Sequence, residues 1–339
     1  MWQVVGQTKT ISFLKRSLAK KALAHAYLLI GPTHTGKMTL ALNLAKALNC
    51  EADEPPCGEC SSCQKIIAGK HADVQIIGLT ANGNSVEART RTEIGIDQIR
   101  QLQHSAGLPP FEGRCKLFII DGAEFMSSEA ANCLLKTLEE PGEKMVFILL
   151  TTNERLLPAT VVSRCQRLEL QPLAAAELEA ALCQNQGVDP EQARLLSRLA
   201  HGCPGWAIQT NDDPGLLQQR TEKIDQLIDT VNADYEERFT YAAQLATQFS
   251  QNRSSVQEIL RLWQDWWRDL MLIKTGSGDI ITNIDFKDTL VKMAGEYSLA
   301  GIKDFITGIQ EACIQLRRNA SPRLVLEVLM LDMPRRDNG

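Results

Sequence analysis

A glycine-rich loop with one lysine lies near the start of the 339-residue chain. The segment Gly31–Lys37 (GPTHTGK) follows the apolar run 27–30 and precedes a helical pattern at 40–48. Strand, glycine-rich loop, lysine and helix, in this order, form a phosphate-binding loop. The backbone N–H groups and the helix N-terminus surround phosphate, and the lysine adds a full charge. We predict phosphate binding by Gly31, Thr35, Gly36 and Lys37; a strand–turn–helix without a ligand is the alternative.

The position after the lysine departs from this pattern. A Ser or Thr usually supplies a hydroxyl to Mg²⁺ there, but this chain has Met38, whose thioether is a poor ligand for a hard cation. Thr39 comes one residue later, about 100° further round the helix. We keep Met38 and Thr39 as candidates at the cofactor-binding site, and we expect the loop to hold phosphate beside a damaged metal position.

Two further strands end in polar residues. The apolar run 116–121 ends at Asp121, where a nucleotide site places its metal-binding acid; an Asp that caps the next turn is the alternative. Gly122 follows where ATPases commonly have a Glu that activates water, and Glu124 need not reach the same point. Asn153 follows the run 146–150 and is a candidate contact for a γ-phosphate or its water, or else a turn residue.

Four cysteines lie close together: Cys50, Cys57, Cys60 and Cys63. Closely spaced thiolates suit tetrahedral Zn²⁺, and four protein ligands make such a site structural. An iron–sulfur sequence of this spacing continues with three residues and then Cys-Pro, whereas Ile67 occupies that point here, so zinc is favoured. Metal-free thiols on a loop are the alternative.

Composition limits the classes of protein. The net charge of −5 argues against a strong direct nucleic-acid binder. The longest apolar run, near 145–150, is far shorter than the ~20 residues that span a bilayer. The first residues carry no signal-peptide core. We predict a cytoplasmic protein without a membrane association, whose cysteines form no disulfide framework.

The hydrophobic pattern changes along the chain. Up to residue 171, strand-like runs at 27–30, 74–77, 116–121, 146–150 and 168–170 alternate with helical patterns, which predicts an α/β fold with a parallel sheet and ligands at the carboxyl ends of its strands. Residues 79–93 are polar and predict a loop, and residues 332–339 predict a polar tail. Residues 172–212 predict short amphipathic helices and residues 213–339 longer ones. Trp263, Trp266 and Trp267 stand at helical spacing, as expected for a helix-bundle core or a subunit contact.

Several motifs resemble those of the AAA+ clamp-loader subunits of bacterial DNA polymerase III. They are His25–Leu28, the loop Gly31–Lys37, the pattern Cys-Gly-x-Cys-x-x-Cys at 57–63, the helix AANCLLKTLEEP at 130–141, and Ser163–Cys165. The resemblance covers essentially the whole chain. It implies an AAA+ P-loop core at 1–171 with a zinc module inserted at 50–63, a helical lid at 172–212, and an all-α collar at 213–339 for oligomerisation.

The resemblance also implies partners and cofactors. The partners are the gamma or tau and delta subunits in a hetero-pentameric ring, the sliding clamp, and primed DNA through the complex. The cofactors are structural Zn²⁺ and, where the ATPase motifs are complete, ATP with Mg²⁺. The region 107–111 is a guess for the clamp contact. Polymerase activity, a nucleotidyl transfer, belongs to the DNA-directed DNA polymerase holoenzyme and is not expected of this chain alone.

The family contains ATP-hydrolysing subunits, gamma and tau, and a stator, delta prime. Three departures favour the stator: Met38, Gly122, and Trp206 in the segment where an ATPase has its sensor-2 arginine. The resemblance assigns Arg164 as a finger that reaches ATP in the neighbouring subunit, which suits an always-charged guanidinium. A structural arginine near Glu154 or Glu169 is the alternative for that residue.

The sequence thus predicts a stator that helps load the clamp during DNA replication and is deficient in ATP hydrolysis. One alternative is a gamma/tau-type ATPase in which Thr39 and Glu124 take over the missing roles. Another is a zinc-dependent binding module without a nucleotide.

Overall fold

The computed structural model describes residues 2, 4–79 and 93–334. The polar loop predicted at 79–93 and the polar tail predicted at 332–339 fall largely outside these residues. The chain divides into two compact units, Met1–Ala181 with Gly202–Trp206, and Leu182–His201 with Ala207–Gly339. No helix in the described part of the chain is long and apolar enough to cross a membrane.

Five parallel strands form the sheet of the first unit, in the spatial order β2–β3–β4–β1–β5. In chain order they are β1 (Ala26–Ile30), β2 (Val74–Ile77), β3 (Lys116–Asp121), β4 (Met145–Thr151) and β5 (Gln166–Glu169). The predictions for β2 and β3 are correct to the residue, and β5 begins two residues before the predicted 168. The predicted parallel α/β sheet is therefore confirmed.

Helices connect these strands, as parallel strands require. They are α1 (Thr8–Ala19), α2 (Lys37–Asn49), α3 (Ser61–Ile67), α4 (Ile96–Ala106), α5 (Ser128–Glu139) and α6 (Ala159–Val162), with 3₁₀ turns at Ala123–Phe125 and Glu154–Leu156. Ser127 caps α5, because its hydroxyl accepts a hydrogen bond from the N–H of Ala130 at 3.1 Å.

Both faces of the sheet are covered by apolar side chains. Along β4, Phe147 and Leu149 pack into one cluster, whereas Ile148 and Leu150 pack into a second cluster on the other face. This alternation follows from the period of two in a strand, and a strand buried on both sides reads as a continuous apolar run. The strand ends are thereby fixed in the positions that build the site.

The second unit is helical. Its helices, including two that cross the unit boundary, are α7 (Ala175–Gln186), α8 (Pro190–Leu199), α9 (Pro204–Asp212), α10 (Gly215–Asn232), α11 (Tyr235–Gln251), α12 (Arg253–Lys274), α13 (Lys287–Glu296), α14 (Leu299–Arg317) and α15 (Pro322–Leu331). Two 3₁₀ turns lie at Gly278–Ile280 and Ile284–Phe286.

The three tryptophans that stand at helical spacing in the sequence lie in the core of this helical unit. Trp263, Trp266 and Trp267 are fully buried. The ring of Trp267 meets those of Tyr297 and Phe305 edge-on, with centroids 5.3 and 4.9 Å apart. Such pairs add to the stability that area burial provides. The prediction of a helix-bundle core is confirmed for this stripe.

Candidate functional site

The glycine-rich loop joins β1 to α2. Gly36 adopts a left-handed conformation (φ 92°) directly before Lys37, the first residue of α2. The Lys37 ammonium donates hydrogen bonds to the carbonyl oxygens of Gly31 and Pro32, each at 2.6 Å. Burial lowers the pKa of Lys37, whereas the charges of Glu124 and Asp121 raise it. The loop thus has the order and the curvature that the sequence predicts for a phosphate site.

A cleft of about 530 Å³ opens beside this loop at the carboxyl ends of the strands. That volume suits a small-molecule site. Its charged and polar lining comes from the loop, the start of α2, the last residues of β3 and β4 and the residues just after them: Thr33, His34, Lys37, Thr39, Asp121, Glu124, Thr151 and Thr152. The register places Asp121 beside Leu150, so the ends of β3 and β4 reach the same edge of the sheet.

The wall opposite the loop is acidic. Glu124 Oε1 accepts hydrogen bonds from the backbone N–H of Thr152 at 3.0 Å and from its hydroxyl at 2.6 Å. Burial raises the pKa of Asp121, the positive charge of Lys37 lowers it, and the negative charge of Glu124 raises it. The net effect is a raised pKa. Carboxylate oxygens are the ligands a hard cation such as Mg²⁺ prefers, so Asp121 and Glu124 fit the metal and Met38 does not.

Seven of the eight predicted cofactor residues fall into two groups. Gly36, Lys37, Met38, Thr39 and Asp121 line the cleft. Gly31 and Thr35 lie outside the cleft lining and fix the path of the loop. A Cβ on Gly31 would lie 2.5 Å from the carbonyl oxygen of Leu170. The buried hydroxyl of Thr35 donates a hydrogen bond to the carbonyl oxygen of Pro32 at 2.8 Å.

Asn153 lies outside the cleft lining. Its side-chain oxygen accepts from the N–H of Arg155 at 3.0 Å and caps the turn Glu154–Leu156. Thr151 and Thr152 line the cleft instead. A direct role for Asn153 at a phosphate stays a prediction.

Two residues outside the predicted cofactor set also line the cleft. Glu124, named in the sequence only for the ATPase alternative, is brought there by the turn Ala123–Phe125; its reach to the point of the missing Glu stays a prediction. Gly205 also lines the cleft, and its N–H donates to the carbonyl oxygen of His34 at 2.8 Å. A Cβ on Gly205 would lie 2.9 Å from that oxygen, so the close approach requires glycine.

The four clustered cysteines converge at a separate place in the first unit. The sulfur atoms of Cys50, Cys57, Cys60 and Cys63 all lie within 4.8 Å of one another. Two of these distances are 3.5 Å (Cys50 to Cys57) and 4.0 Å (Cys57 to Cys63). Four sulfurs bound to one Zn²⁺ at 2.3 Å lie about 3.8 Å apart, so the set fits a tetrahedral zinc site.

Backbone N–H groups point at the sulfur of Cys57. Those of Cys60 and Glu59 lie 3.3 and 3.4 Å away, and they lower the pKa of Cys57 to about 6. A lower pKa favours the thiolate, the form that binds metal. Burial raises the pKa of Cys63 to about 12, so the four thiols do not share one environment. The number, type and spacing of the donors suit a zinc ion, as the sequence predicted.

The cysteine cluster adjoins the loop that precedes β3. Lys65 of α3 forms an ion pair with Glu112, and the carboxylate of Asp73 accepts hydrogen bonds from the N–H groups of Phe111, Glu112 and Gly113 at 2.7–2.9 Å. Phe111 is 86% exposed on this tightly held loop. The guess that 107–111 contacts the clamp stays a prediction.

Comparison with known proteins assigns the family. A family model described as "DNA polymerase III, delta subunit" matches residues 6–174, which contain the whole sheet. The chain is 29% identical to the delta prime subunit of DNA polymerase III from Bacillus subtilis, over 96% of this chain and 95% of that protein. The chain belongs to the clamp-loader AAA+ family of DNA polymerase III.

Other clamp-loader relatives are longer than this chain. The tau subunit of B. subtilis is 28% identical over 97% of this chain and 60% of its own length. The tau subunit of Escherichia coli is 32% identical over 68% of this chain and 36% of its own length. Among solved structures, a gamma-subunit-related protein from Thermotoga maritima aligns at 18% identity over 95% of this chain and 97% of its own, with a TM-score of 0.39.

Arg164 of this clamp-loader chain lies outside the lining of its own cleft. Its guanidinium pairs with Glu139, at the end of α5, and donates to the carbonyl oxygen of Thr160 at 2.8 Å. The alternative interpretation placed it near Glu154 or Glu169. That detail is wrong, because those two carboxylates pair with Arg167 instead.

Gly122, which stands where ATPases commonly have a Glu, lies in a turn that suits glycine. Its φ of 72° is left-handed, and a Cβ there would lie 2.7 Å from the ring of Phe125. A side chain at this position is strained by the backbone and crowded by the ring. The turn that carries Glu124 into the cleft is therefore built around the absence of a side chain at 122.

Proposed function

We propose that this clamp-loader subunit is of the stator type, delta prime, and that it does not hydrolyse ATP by itself. It takes its place in a ring with gamma or tau and delta subunits and helps to load the sliding clamp onto primed DNA. It supplies Arg164 to ATP bound by a neighbouring ATPase subunit. Its four cysteines hold structural Zn²⁺, its residues 172–212 form a lid, and its residues 213–339 form the collar that joins it to the ring.

One observation carries this proposal. The cleft keeps the phosphate-binding lysine and the acid at the end of β3, but Met38 offers no hydroxyl to a metal and Gly122 offers no carboxylate. Positioning groups of this kind are worth ~10³–10⁵ in the rate of phosphoryl transfer. A cleft with this lining suits nucleotide binding better than hydrolysis. Similarity to B. subtilis delta prime along nearly the full length of both chains supports the same assignment.

The position of Arg164 supports its action in trans. The residue is outside its own cleft, and its side chain keeps 34% of its surface exposed. The ion pair with Glu139 holds the guanidinium at the surface, and exposed pairs of this kind are worth only about 0–1 kcal/mol. A phosphate chain on an adjacent subunit competes readily with so weak a partner.

The test is ATP hydrolysis by a reconstituted loader with clamp and primed DNA. We expect Arg164→Ala to lower the rate by at least about tenfold, and the isolated native chain to be inactive. Arg167→Ala is the matched control, since Arg167 is a nearby, 49% exposed arginine that also pairs with carboxylates. Equal rates for the native and Arg164→Ala loaders would overturn the trans-acting role.

A second candidate function, a gamma/tau-type ATPase, is favoured by one observation. Glu124 does reach the cleft and can offer the carboxylate that Gly122 lacks. In that case the isolated chain hydrolyses ATP, and both Lys37→Ala and Glu124→Gln abolish the activity. An inactive isolated chain in the presence of Mg²⁺ excludes this candidate.

A further inference from the structure

Glu124 is held in the cleft more firmly than a surface carboxylate. One of its oxygens, Oε1, accepts two hydrogen bonds, and both come from Thr152. These bonds join the turn after β3 to the end of β4, and they fix the direction of the carboxylate. A carboxylate that accepts a backbone N–H and a hydroxyl is arranged for a task that needs a defined position.

The second oxygen of Glu124 lacks a partner. Oε2 is buried, and no hydrogen-bond donor in the described part of the chain reaches it. A buried charged oxygen without a partner is costly, and native proteins rarely leave one unsatisfied. A divalent cation, or water bound to that cation, is the kind of partner that a carboxylate oxygen beside a phosphate loop takes.

The charges of the cleft lead to the same conclusion. Among the described residues that line it, Lys37 is the one lysine or arginine, and it faces the carboxylates of Asp121 and Glu124. Burial and the charge of Lys37 lower the pKa of His34, so that imidazole adds no charge at neutral pH. A triphosphate alone would meet more negative than positive charge, and a divalent cation reverses that balance.

We propose that Glu124, positioned by Thr152, is the second acidic group of the cation site, and that this cleft takes a nucleoside triphosphate only together with a divalent cation. Asp121 and Glu124 then replace the hydroxyl that Met38 removes. Glu124 acts here in binding, not in activating water. The inference rests on the proposed nucleotide binding by the stator.

The experiment measures ATP binding to the full chain by calorimetry, with Mg²⁺ or with EDTA. For the native chain we expect affinity at least about tenfold higher with Mg²⁺. Glu124→Gln keeps the shape and an acceptor for Thr152 but removes the charge. We expect it to weaken binding with Mg²⁺, to strengthen binding with EDTA, and so to bring the ratio of the two affinities near one.

Two further variants separate a positioning role from a structural one. Thr152→Val removes the hydroxyl and leaves the backbone N–H, so it should lower the Mg²⁺-to-EDTA ratio by less than Glu124→Gln does. Glu129→Gln, an exposed carboxylate five residues along the chain, is the matched control and should leave the ratio unchanged. The ratio reports the cation site itself, which a general loss of stability would not change selectively.

Three results would overturn the proposal. They are equal affinity of the native chain with Mg²⁺ and EDTA, no ATP binding in either condition, and an unchanged ratio for Glu124→Gln. Failure here is distinct from failure of the stator assignment. If Arg164→Ala lowers the rate of ATP hydrolysis by the loader, the stator assignment stands even when the cleft of this chain binds no ATP.

Discussion

The cleft beside the glycine-rich loop and the cysteine cluster are two sites of one unit with opposite construction. The cleft takes its polar lining from four separate places in the chain, at residues 33–39, 121–124, 151–152 and 205. All four sulfur ligands come from 50–63. The cleft forms with Met38 and Gly122 in place, so its shape needs neither a hydroxyl at 38 nor a carboxylate at 122. A tetrahedral metal site cannot lose one ligand in the same way.

The difference explains how a fold of this kind can keep its architecture while its chemistry changes. The shape of the cleft depends on the parallel sheet and on the backbone of the loop, and neither needs the hydroxyl or the carboxylate that is missing. The geometry of the cysteine cluster depends on the metal it would bind. We therefore expect substitutions in the cluster to cost more stability than substitutions in the cleft.

The largest effect is expected for Cys63→Ser. Cys63 is fully buried, and a serine oxygen is a poor replacement for a thiolate at zinc. Because the binding energy of structural zinc contributes to folding, with apparent values of about 10–16 kcal/mol in small zinc domains, we expect zinc loss and a marked drop in the melting temperature. Zinc content by mass spectrometry, with thermal unfolding, measures both.

Cys133→Ser is the control for this prediction. Cys133 is a partly buried single cysteine outside the cluster, so its replacement should leave the zinc content unchanged. Native protein that contains no zinc and keeps its melting temperature after chelation would contradict the zinc assignment.

A smaller effect is expected for Asp73→Asn. Burial raises the pKa of Asp73, but the N–H groups of Phe111, Gly113 and Glu112 lower it further, so the net direction is down and the group is ionised at neutral pH. Removal of the charge should cost about 2 kcal/mol and speed amide exchange at 111–113. Hydrogen exchange followed by mass spectrometry tests this, with the exposed Asp97→Asn as the control. Unchanged exchange at 111–113 would show that the carboxylate does not hold the loop.

The smallest effect is expected at the cleft. Gly122→Glu restores the residue of an ATPase, yet we expect it to cost about 1–2 kcal/mol, because the backbone is left-handed and Phe125 is close. Met38→Ser should cost about 1 kcal/mol, because the partly buried Met38 side chain packs against the apolar cluster that contains Ile148 and Leu150. Denaturant unfolding of each variant measures these costs.

A comparison of Gly122→Ala with Gly187→Ala separates two contributions to the stability loss at residue 122, the left-handed backbone and the crowding by Phe125. Gly187 is also left-handed (φ 64°), but a Cβ there would have no neighbour within 4 Å, so its variant reports the backbone cost alone. A stable Gly122→Glu chain that hydrolyses ATP would mean that the turn tolerates a side chain. It would also mean that this single substitution is enough to restore ATP hydrolysis.

Local patterns made the secondary structure predictable. The apolar run 116–121 coincides with β3, since a strand buried on both faces needs a continuous apolar stretch. The short run 74–77 coincides with the edge strand β2, which is only partly buried. The helix after the loop and the cap at Ser127 follow from signals within one or two turns. The division of the chain at 171/172 and 212/213 stays a prediction.

The sequence by itself determined the glycine-rich loop, the four-cysteine cluster and the tryptophan core, because each depends on spacing within one segment. It also indicated the parallel α/β sheet, because apolar runs alternate with helical patterns along the first 171 residues. Only the tertiary structure decided that Glu124 meets Thr152, that Gly205 meets His34, and that Arg164 pairs with Glu139 rather than with Glu154 or Glu169. These partners lie between 25 and 171 residues apart in the chain. No local period encodes such contacts; they arise where packing brings strand ends and turns together.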